Sequence, residues 1–152
     1  MAFVYSITAC AANASEIRVP AEFSATVFAS GLNRPSSLAF GSDDRLYVAG
    51  QNGDILAINA GGAADAAPVA RFGATTLGIA FRPNTRELYA STTGRVAMAR
   101  QNADGTFSDP AILVSGLPTG RHQNDQIVFE PNGNFFYLGV GSTCDACTEA
   151  DP

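Results

Sequence analysis

One unit recurs three times along this chain, and its spacing constrains the fold more than any other feature. Each copy has a short apolar stretch that ends in phenylalanine, a turn rich in Pro, Asn, Asp or Gly, and a second stretch that carries tyrosine. The copies occupy residues 37–49, 77–91 and 126–139, with Phe40, Phe81 and Phe129 at equivalent positions. Short apolar stretches on either side of such a turn predict paired β-strands.

The period of this repeat predicts the blades of a β-propeller. The three phenylalanines are 41 and then 48 residues apart, which leaves room for four short strands in each period. We therefore predict an all-β fold, a β-propeller of four-stranded antiparallel blades near residues 36–72, 76–115 and 125–152. The third blade has only its first two strands, so about two and a half blades are present. Residues 23–30 are predicted to form an outer strand before the first blade.

The number of blades bears on whether the ring can close. A closed propeller has about 4 to 8 blades, so two and a half blades predict an incomplete propeller. We accordingly expect this chain to be a fragment of a longer propeller protein.

Composition and charge exclude some classes of partner. Apolar residues make up 46% of the chain and charged residues 15%, the balance of a packed domain. The formal net charge is -5, and Lys and Arg form no cluster that could follow a phosphate backbone. We therefore expect no nucleic-acid partner. After the N-terminus, no stretch approaches the roughly 18 consecutive apolar residues of a membrane span, so none is predicted.

The N-terminal residues 1–14 differ from the rest because they are small or apolar and carry no charge. They end in Ala-Asn-Ala, which fits a signal-peptidase site before Ser15. Residues 1–14 are thus predicted to be a leader, residues 15–152 the propeller domain, and the protein periplasmic or secreted. An alternative is a lipoprotein leader, since residues 7–10 resemble a lipobox that would lipidate Cys10 and give a lipid anchor. A third possibility is an uncleaved N-terminal strand.

The remaining cysteines, Cys144 and Cys147, form a C-x-x-C pair. In an exported protein a disulfide is the favoured interpretation. A zinc site would need a second pair of ligands, and haem attachment would need histidine where the chain has Thr148. No metal ligand is therefore predicted within this chain.

His122 is the only histidine, and it lies in a loop directly before the predicted inner strand of the third blade. Loops that enter inner strands gather near one mouth of a propeller's channel, where small ligands bind. Arg121 beside it would disfavour the imidazolium form and leave the neutral ring that a general base requires. His122 is thus the candidate catalytic residue.

Three motifs follow one another along the chain: residues 29–35 with the first repeat unit, residues 77–83, and residues 116–123 followed by 129–133 and 139–142. In this order and spacing they resemble the glucose/sorbosone dehydrogenase family. The segment 140–147, with its C-x-x-C pair, is similar to the sorbosone-type branch of that family. The resemblance covers nearly all of the predicted propeller domain.

The resemblance implies a six-bladed, exported quinoprotein that uses pyrroloquinoline quinone (PQQ) and calcium to oxidise a sugar at its anomeric or aldehyde carbon. His122 would fall on the family's base, which removes a hydroxyl proton while hydride passes to the quinone, and an external acceptor would take the electrons. Gln123 is a weaker candidate for contact with cofactor or substrate. The main ligands of PQQ and calcium come from later blades, so this polypeptide alone is not expected to turn over substrate. Gly73 and Arg121 depart from the glucose-oxidising pattern and leave the sugar open.

Two other functions remain open at this stage. A calcium-dependent lactonase-like propeller would use inward-facing acids, for which the candidates are Glu22, Glu87, Asp125 and Glu130. A non-catalytic propeller that presents its loops to a protein or glycan would need no cofactor.

Overall fold

The computed structural model describes residues 17–65 and 67–145, and these residues form strands without helices. The predicted leader, including Cys10, and the predicted disulfide partner Cys147 lie outside this part of the chain. The strands are β1 Pro35–Phe40, β2 Leu46–Gly50, β3 Asp54–Ile58, β4 Ala70–Arg71, β5 Thr76–Phe81, β6 Glu87–Thr92, β7 Arg95–Arg100, β8 Ala111–Ser115, β9 Asn124–Phe129 and β10 Phe136–Val140.

The strands form three antiparallel sheets in chain order. Strands β1–β4 make the first sheet, β5–β8 the second, and β9 and β10 the third. We call these sheets blade 1, blade 2 and blade 3. The first strands of the blades are neighbours, with β1 beside β5 and β5 beside β9. The predicted fold class, an all-β incomplete propeller, is confirmed, whereas the domain boundaries stay a prediction.

The predicted outer strand at residues 23–30 is wrong. Within the described residues this segment pairs with no sheet, and a strand needs a partner to satisfy its backbone groups. The segment begins instead with a turn in which the Phe23 N–H donates to the Pro20 carbonyl at 2.9 Å. Further on, the Phe28 carbonyl lies directly against Gly62, where a Cβ would come within 1.9 Å of its oxygen.

The repeated tyrosine and phenylalanine join consecutive blades. The Tyr47 ring of blade 1 meets the Phe81 ring of blade 2 edge-on, with centroids 5.0 Å apart. One repeat later, Tyr89 meets Phe129 in the same way at 4.9 Å. Edge-to-face aromatic pairs of this kind contribute about 0.5–1.5 kcal/mol beyond the area they bury. The repeat therefore encodes the contact between blades as well as the hairpin within each blade.

Aliphatic side chains complete both interfaces. Ile55, Ile79 and Leu88 are fully buried between blades 1 and 2. Val96 and Ile127 are fully buried between blades 2 and 3. Each of these residues is apolar and lies on a strand face covered by the neighbouring sheet. The hydrophobic core is thus divided into layers between blades, as expected for stacked sheets.

Polar side chains link the inner strands of all three blades. The Ser37 hydroxyl in blade 1 accepts a hydrogen bond from the Ile79 N–H of blade 2 at 3.1 Å. It also donates to Gln126 Oε1 of blade 3 at 2.8 Å. Gln126 Nε2 returns to the Ile79 carbonyl at 2.9 Å. At the same level Gly78 allows β5 and β9 to approach closely, because a Cβ there would lie 2.6 Å from Gln126 Cα.

A buried polar network surrounds Tyr47. Its hydroxyl donates to Asp43 Oδ2 at 2.7 Å and accepts from Gln101 Nε2 at 2.7 Å. Burial, followed by the hydrogen bond to the Asp43 carboxylate, raises the pKa of the Tyr47 phenol far above its ordinary value. Burial alone would raise the pKa of Asp43, but its hydrogen bonds from Tyr47, Gln101 and the Arg45 N–H lower it overall.

We expect this network to make the protein sensitive to alkali. Because the pKa of Tyr47 is raised on folding, the unfolded chain loses this proton first, and stability falls as the pH rises above about 10. The slope from this one proton is at most about 1.4 kcal/mol per pH unit. Urea unfolding between pH 8 and pH 12 should show the slope in the wild type and its loss in Tyr47→Phe. The exposed Tyr137→Phe is the control, and equal slopes in the Tyr47→Phe variant and the wild type would contradict the assignment.

Candidate functional site

The loop that carries His122 is held by the loop that follows the next strand. Strands β9 and β10 pair antiparallel, so the residues before β9 lie opposite those after β10. The pairing continues beyond the strands, since the His122 N–H donates to the Ser142 carbonyl at 3.2 Å and the Arg121 N–H to the Thr143 carbonyl at 3.0 Å. The backbone of His122 is therefore fixed by the hairpin of blade 3.

Gly141 permits this close contact between the two loops. A Cβ at position 141 would come within 2.6 Å of His122 Cβ and 2.8 Å of its carbonyl oxygen. Any larger residue would push the histidine loop away from the hairpin. The glycine after β10 is thus a local requirement for the position of His122.

Asp145 orients the imidazole ring. Its Oδ1 lies 2.5 Å from His122 Nε2, and its Oδ2 lies 2.6 Å from Arg121 Nη1. An ionised carboxylate only accepts hydrogen bonds, so Nε2 carries the hydrogen. In the neutral ring Nδ1 is then the atom that can accept a proton. The sequence predicted that the Arg121 guanidinium would disfavour the charged form of the histidine. In the structure Arg121 and His122 both contact the Asp145 carboxylate.

His122 opens onto a pocket at the ends of the inner strands β5 and β9. The lining side chains include Arg121, His122, Gln123 and Asp125 on one side and Thr75 and Leu77 on the other. Gln123 Oε1 is buried and has no hydrogen-bond partner among the described residues. A buried acceptor without a partner is costly and can be satisfied by a ligand hydroxyl. The two residues predicted from the sequence, His122 and Gln123, are thus brought together here.

Asn124 anchors the floor of this pocket. Its side chain is fully buried, and Nδ2 donates to Ser91 Oγ at 2.5 Å and to the Thr92 carbonyl at 2.8 Å. Its Oδ1 accepts from the Gly94 N–H at 3.2 Å. The side chain therefore fixes the start of β9 against the β6–β7 turn of blade 2. Sequence reasoning did not find Asn124 or Asp145, although the hairpin places Ser142 opposite His122 and so brings the next few residues near the histidine.

The acids proposed for a lactonase-like site are not gathered in one place. Asp125 lines the pocket, whereas buried Glu87 forms ion pairs with Arg82 at 3.3 Å and with Arg100. Glu130 accepts a hydrogen bond from Asn132 in its own turn at 2.9 Å. Within residues 17–65 and 67–145, no three His, Cys, Asp or Glu side chains lie close enough together to hold a metal ion.

The cysteine predictions are only partly within the described residues. Cys144 is disulfide-bonded, but its predicted partner Cys147 lies outside them, so the pairing stays a prediction. Lipidation of Cys10 also stays a prediction. Among the residues described, no helix is long and apolar enough to cross a membrane.

Comparison with known proteins identifies the fold. No protein-family model and no curated protein sequence matches this chain. Among solved structures, the PQQ-bound aldose sugar dehydrogenase of Streptomyces coelicolor superposes with a TM-score of 0.68 at 23% identity, over 79% of this chain and 41% of that one. This chain has the propeller fold of the sugar dehydrogenases.

Two further structures support this dehydrogenase-type propeller. An oxidoreductase (glucose dehydrogenase) from Thermus thermophilus matches with a TM-score of 0.58 at 25% identity, over 74% of this chain and 38% of that one. The holo PQQ domain of Coprinopsis cinerea pyranose dehydrogenase matches at 0.65 and 22% identity, over 75% and 29%. The predicted relationship to the glucose dehydrogenase family is confirmed in structure. This chain spans well under half of each neighbour, and the sorbosone-type branch stays a prediction.

Proposed function

We propose that this chain is part of an exported, PQQ-dependent sugar dehydrogenase in which His122 is the general base. The observation that carries the proposal is the arrangement around the imidazole, with Nε2 hydrogen-bonded to Asp145 and Nδ1 left as the acceptor. The ring stands at a pocket of polar side chains in a dehydrogenase-type propeller. Neighbours described as PQQ-bound or holo PQQ proteins support the choice of cofactor.

The residues of this chain can carry the proton transfer. A sugar hydroxyl in the pocket would give its proton to His122 Nδ1, and the positive charge that develops on the ring would be stabilised by Asp145 at 2.5 Å. Gln123 Oε1, an unpartnered acceptor, would orient a second hydroxyl. PQQ, when bound, would supply the acceptor for the hydride from the carbon that carries the deprotonated hydroxyl. An external acceptor would then reoxidise the cofactor.

Two residues of the pocket support the choice of cofactor and substrate. Arg121, which also forms an ion pair with Asp145, would provide a cation for a carboxylate-bearing quinone, and Gln123 would provide an acceptor for a sugar hydroxyl. The described residues do not fit calcium, because they contain no cluster of three candidate metal ligands. We propose that the principal ligands of PQQ and calcium lie in other blades of a longer protein.

Titration with PQQ and calcium tests this proposal, on this chain and on a complete propeller that contains it. We expect saturable binding of the quinone by the complete propeller, followed by dye-linked oxidation of at least one member of a panel of aldoses and sorbosone. The 152-residue chain should bind weakly and show no turnover. If a complete, folded propeller binds no quinone, the proposed dehydrogenase function is wrong. A non-catalytic propeller that binds a protein or glycan would then be the better explanation.

A further inference from the structure

The loop after β10 carries both a disulfide and the carboxylate that contacts the histidine. Cys144 is disulfide-bonded. The next residue is Asp145, whose Oδ1 lies 2.5 Å from His122 Nε2. A covalent cross-link therefore stands one residue away from the group that orients the candidate base.

Backbone contacts fix the first part of this loop. The Arg121 N–H donates to the Thr143 carbonyl at 3.0 Å. Gly120 lies so close to Thr143 that a Cβ on the glycine would come within 2.3 Å of Thr143 Cα. Asp145 is two residues further along the chain, and both oxygens of its carboxylate bind side chains of the histidine loop. Its position therefore depends on how the intervening residue, Cys144, is held.

The side-chain contacts of Asp145 are too exposed to fix this geometry by themselves. The side chains of Asp145, His122 and Arg121 are 49%, 50% and 71% exposed. Exposed ion pairs are weak, because water competes for both partners and two flexible side chains must be held in one arrangement. Keeping the carboxylate at the ring therefore requires a constraint on the backbone of the loop.

The disulfide supplies this constraint, since a disulfide limits the conformations of the segment that it closes. The Ser142 hydroxyl also donates to the Cys144 carbonyl at 2.7 Å, on the peptide group that leads into Asp145. Cys144 is thus held both at its side chain and at its backbone. With Cys147 as the partner predicted from the sequence, Asp145 would lie inside the closed segment 144–147.

We propose that Cys144, through its disulfide, is a positioning residue for His122, because it holds the Asp145 carboxylate at Nε2 and so keeps Nδ1 as the proton acceptor. Reduction by a dithiol would break the S–S bond, transfer two electrons and two protons to the cysteines, and convert the dithiol to its own disulfide. Asp145 would then leave the ring, and the imidazole hydrogen could occupy either nitrogen. The effect on the rate of sugar oxidation rests on the proposed function, whereas the effect on the ring does not.

Nitrogen-15 NMR of the imidazole tests the position of the carboxylate, because His122 is the only histidine of the chain. At about pH 8, where an ordinary imidazole is neutral, we expect one tautomer, with well-separated shifts for a protonated Nε2 and an unprotonated Nδ1. After treatment with dithiothreitol, or in Cys144→Ser, the two shifts should approach each other as the tautomers exchange. Asp145→Ala is the matched control, and it should show the averaged shifts before reduction and no further change after it.

Two results of this experiment would overturn the proposal. The first is a pair of shifts that is the same in the oxidised and reduced chains. The second is the loss of the β9 and β10 amide signals on reduction, which would show that the disulfide maintains the hairpin rather than the carboxylate. Neither result would bear on quinone binding, so the proposed function would remain.

The rate of quinone reduction by sugar tests the consequence for catalysis in a complete propeller that contains this chain. Cys144→Ser replaces the reductant here, because a dithiol also reduces a quinone. We expect a rate lowered by about tenfold or more, since displacing a catalytic group by about 1 Å can cost about a hundredfold, and an unchanged affinity for PQQ. In the Asp145→Ala background the substitution should lower the rate no further, because both changes act through one carboxylate. An equal loss in both backgrounds would contradict the proposal. A complete propeller that binds no quinone would refute the proposed function, and the ring shifts would still decide the role of Cys144.

Discussion

The His122→Ala variant of a complete propeller containing this chain is expected to lose sugar oxidation while it still binds PQQ. General-base catalysis contributes about 10²- to 10⁴-fold to the rate, so kcat should fall by that factor. This loss is expected because Nδ1 of His122 is the proposed proton acceptor, and Asn124 and Gly141 continue to hold the pocket without it. Stopped-flow reduction of the bound quinone by sugar measures the step directly.

A control on the same hairpin separates chemistry from structure. Asn132→Ala changes an exposed turn residue of blade 3 and should leave both quinone binding and kcat near wild-type values. If His122→Ala retains more than about a tenth of the wild-type kcat, the assignment of this histidine as base is wrong. If quinone binding is lost together with the rate, His122 serves in cofactor binding instead.

Asn124→Ala is expected to destabilise the fold by about 3 kcal/mol, because it leaves several buried backbone and hydroxyl groups without partners. The substitution removes the acceptor of the Gly94 N–H and the donor to Ser91 Oγ and the Thr92 carbonyl. These bonds join blade 2 to the start of β9, so the loss should loosen blade 3 first. Urea unfolding measures the free energy, and hydrogen exchange of the β9 and β10 amides locates the loosening.

Asn134→Ala provides the comparison for this effect. Asn134 is exposed, and its backbone N–H rather than its side chain takes part in the turn, donating to Asn132 Oδ1 at 2.8 Å. Its replacement should change the free energy of unfolding by less than about 0.5 kcal/mol, as for most surface substitutions. Similar losses in the two variants would show that Asn124 is not the anchor described here.

The repeat made most of the fold predictable. Each repeat has a phenylalanine before a turn and a tyrosine after it, as Phe81 and Tyr89 show. The first hairpin of each blade could therefore be predicted from the local pattern alone. Residues 23–30 were different. They alternate in a way that suits a strand, but a strand also needs a free sheet edge, and local sequence carries no information about that partner.

The position of the candidate site could be predicted from the sequence, whereas the contacts of its side chains could not. The loop before β9 was expected to reach a ligand site, and His122 and Gln123 do line a pocket. The carboxylate that binds the His122 ring was not predicted, because Asp145 is 23 residues away from His122 along the chain. The antiparallel pairing of β9 with β10 would have indicated it, since it places the residues on either side of that hairpin together. The contact of Arg121 also differs from the prediction, because its guanidinium forms an ion pair with Asp145.

The Tyr–Phe contact has a consequence for how such a chain can lengthen. The phenylalanine of a blade faces the preceding blade, and its tyrosine faces the following blade. Each blade therefore presents to the next one the same kind of surface on which it packs itself. A gene duplication that copies one whole period adds a blade that fits both neighbours without further substitution. An insertion of part of a period places a tyrosine where a phenylalanine is required. Evolutionary changes in length are therefore expected in whole units, with partial insertions confined to the turns.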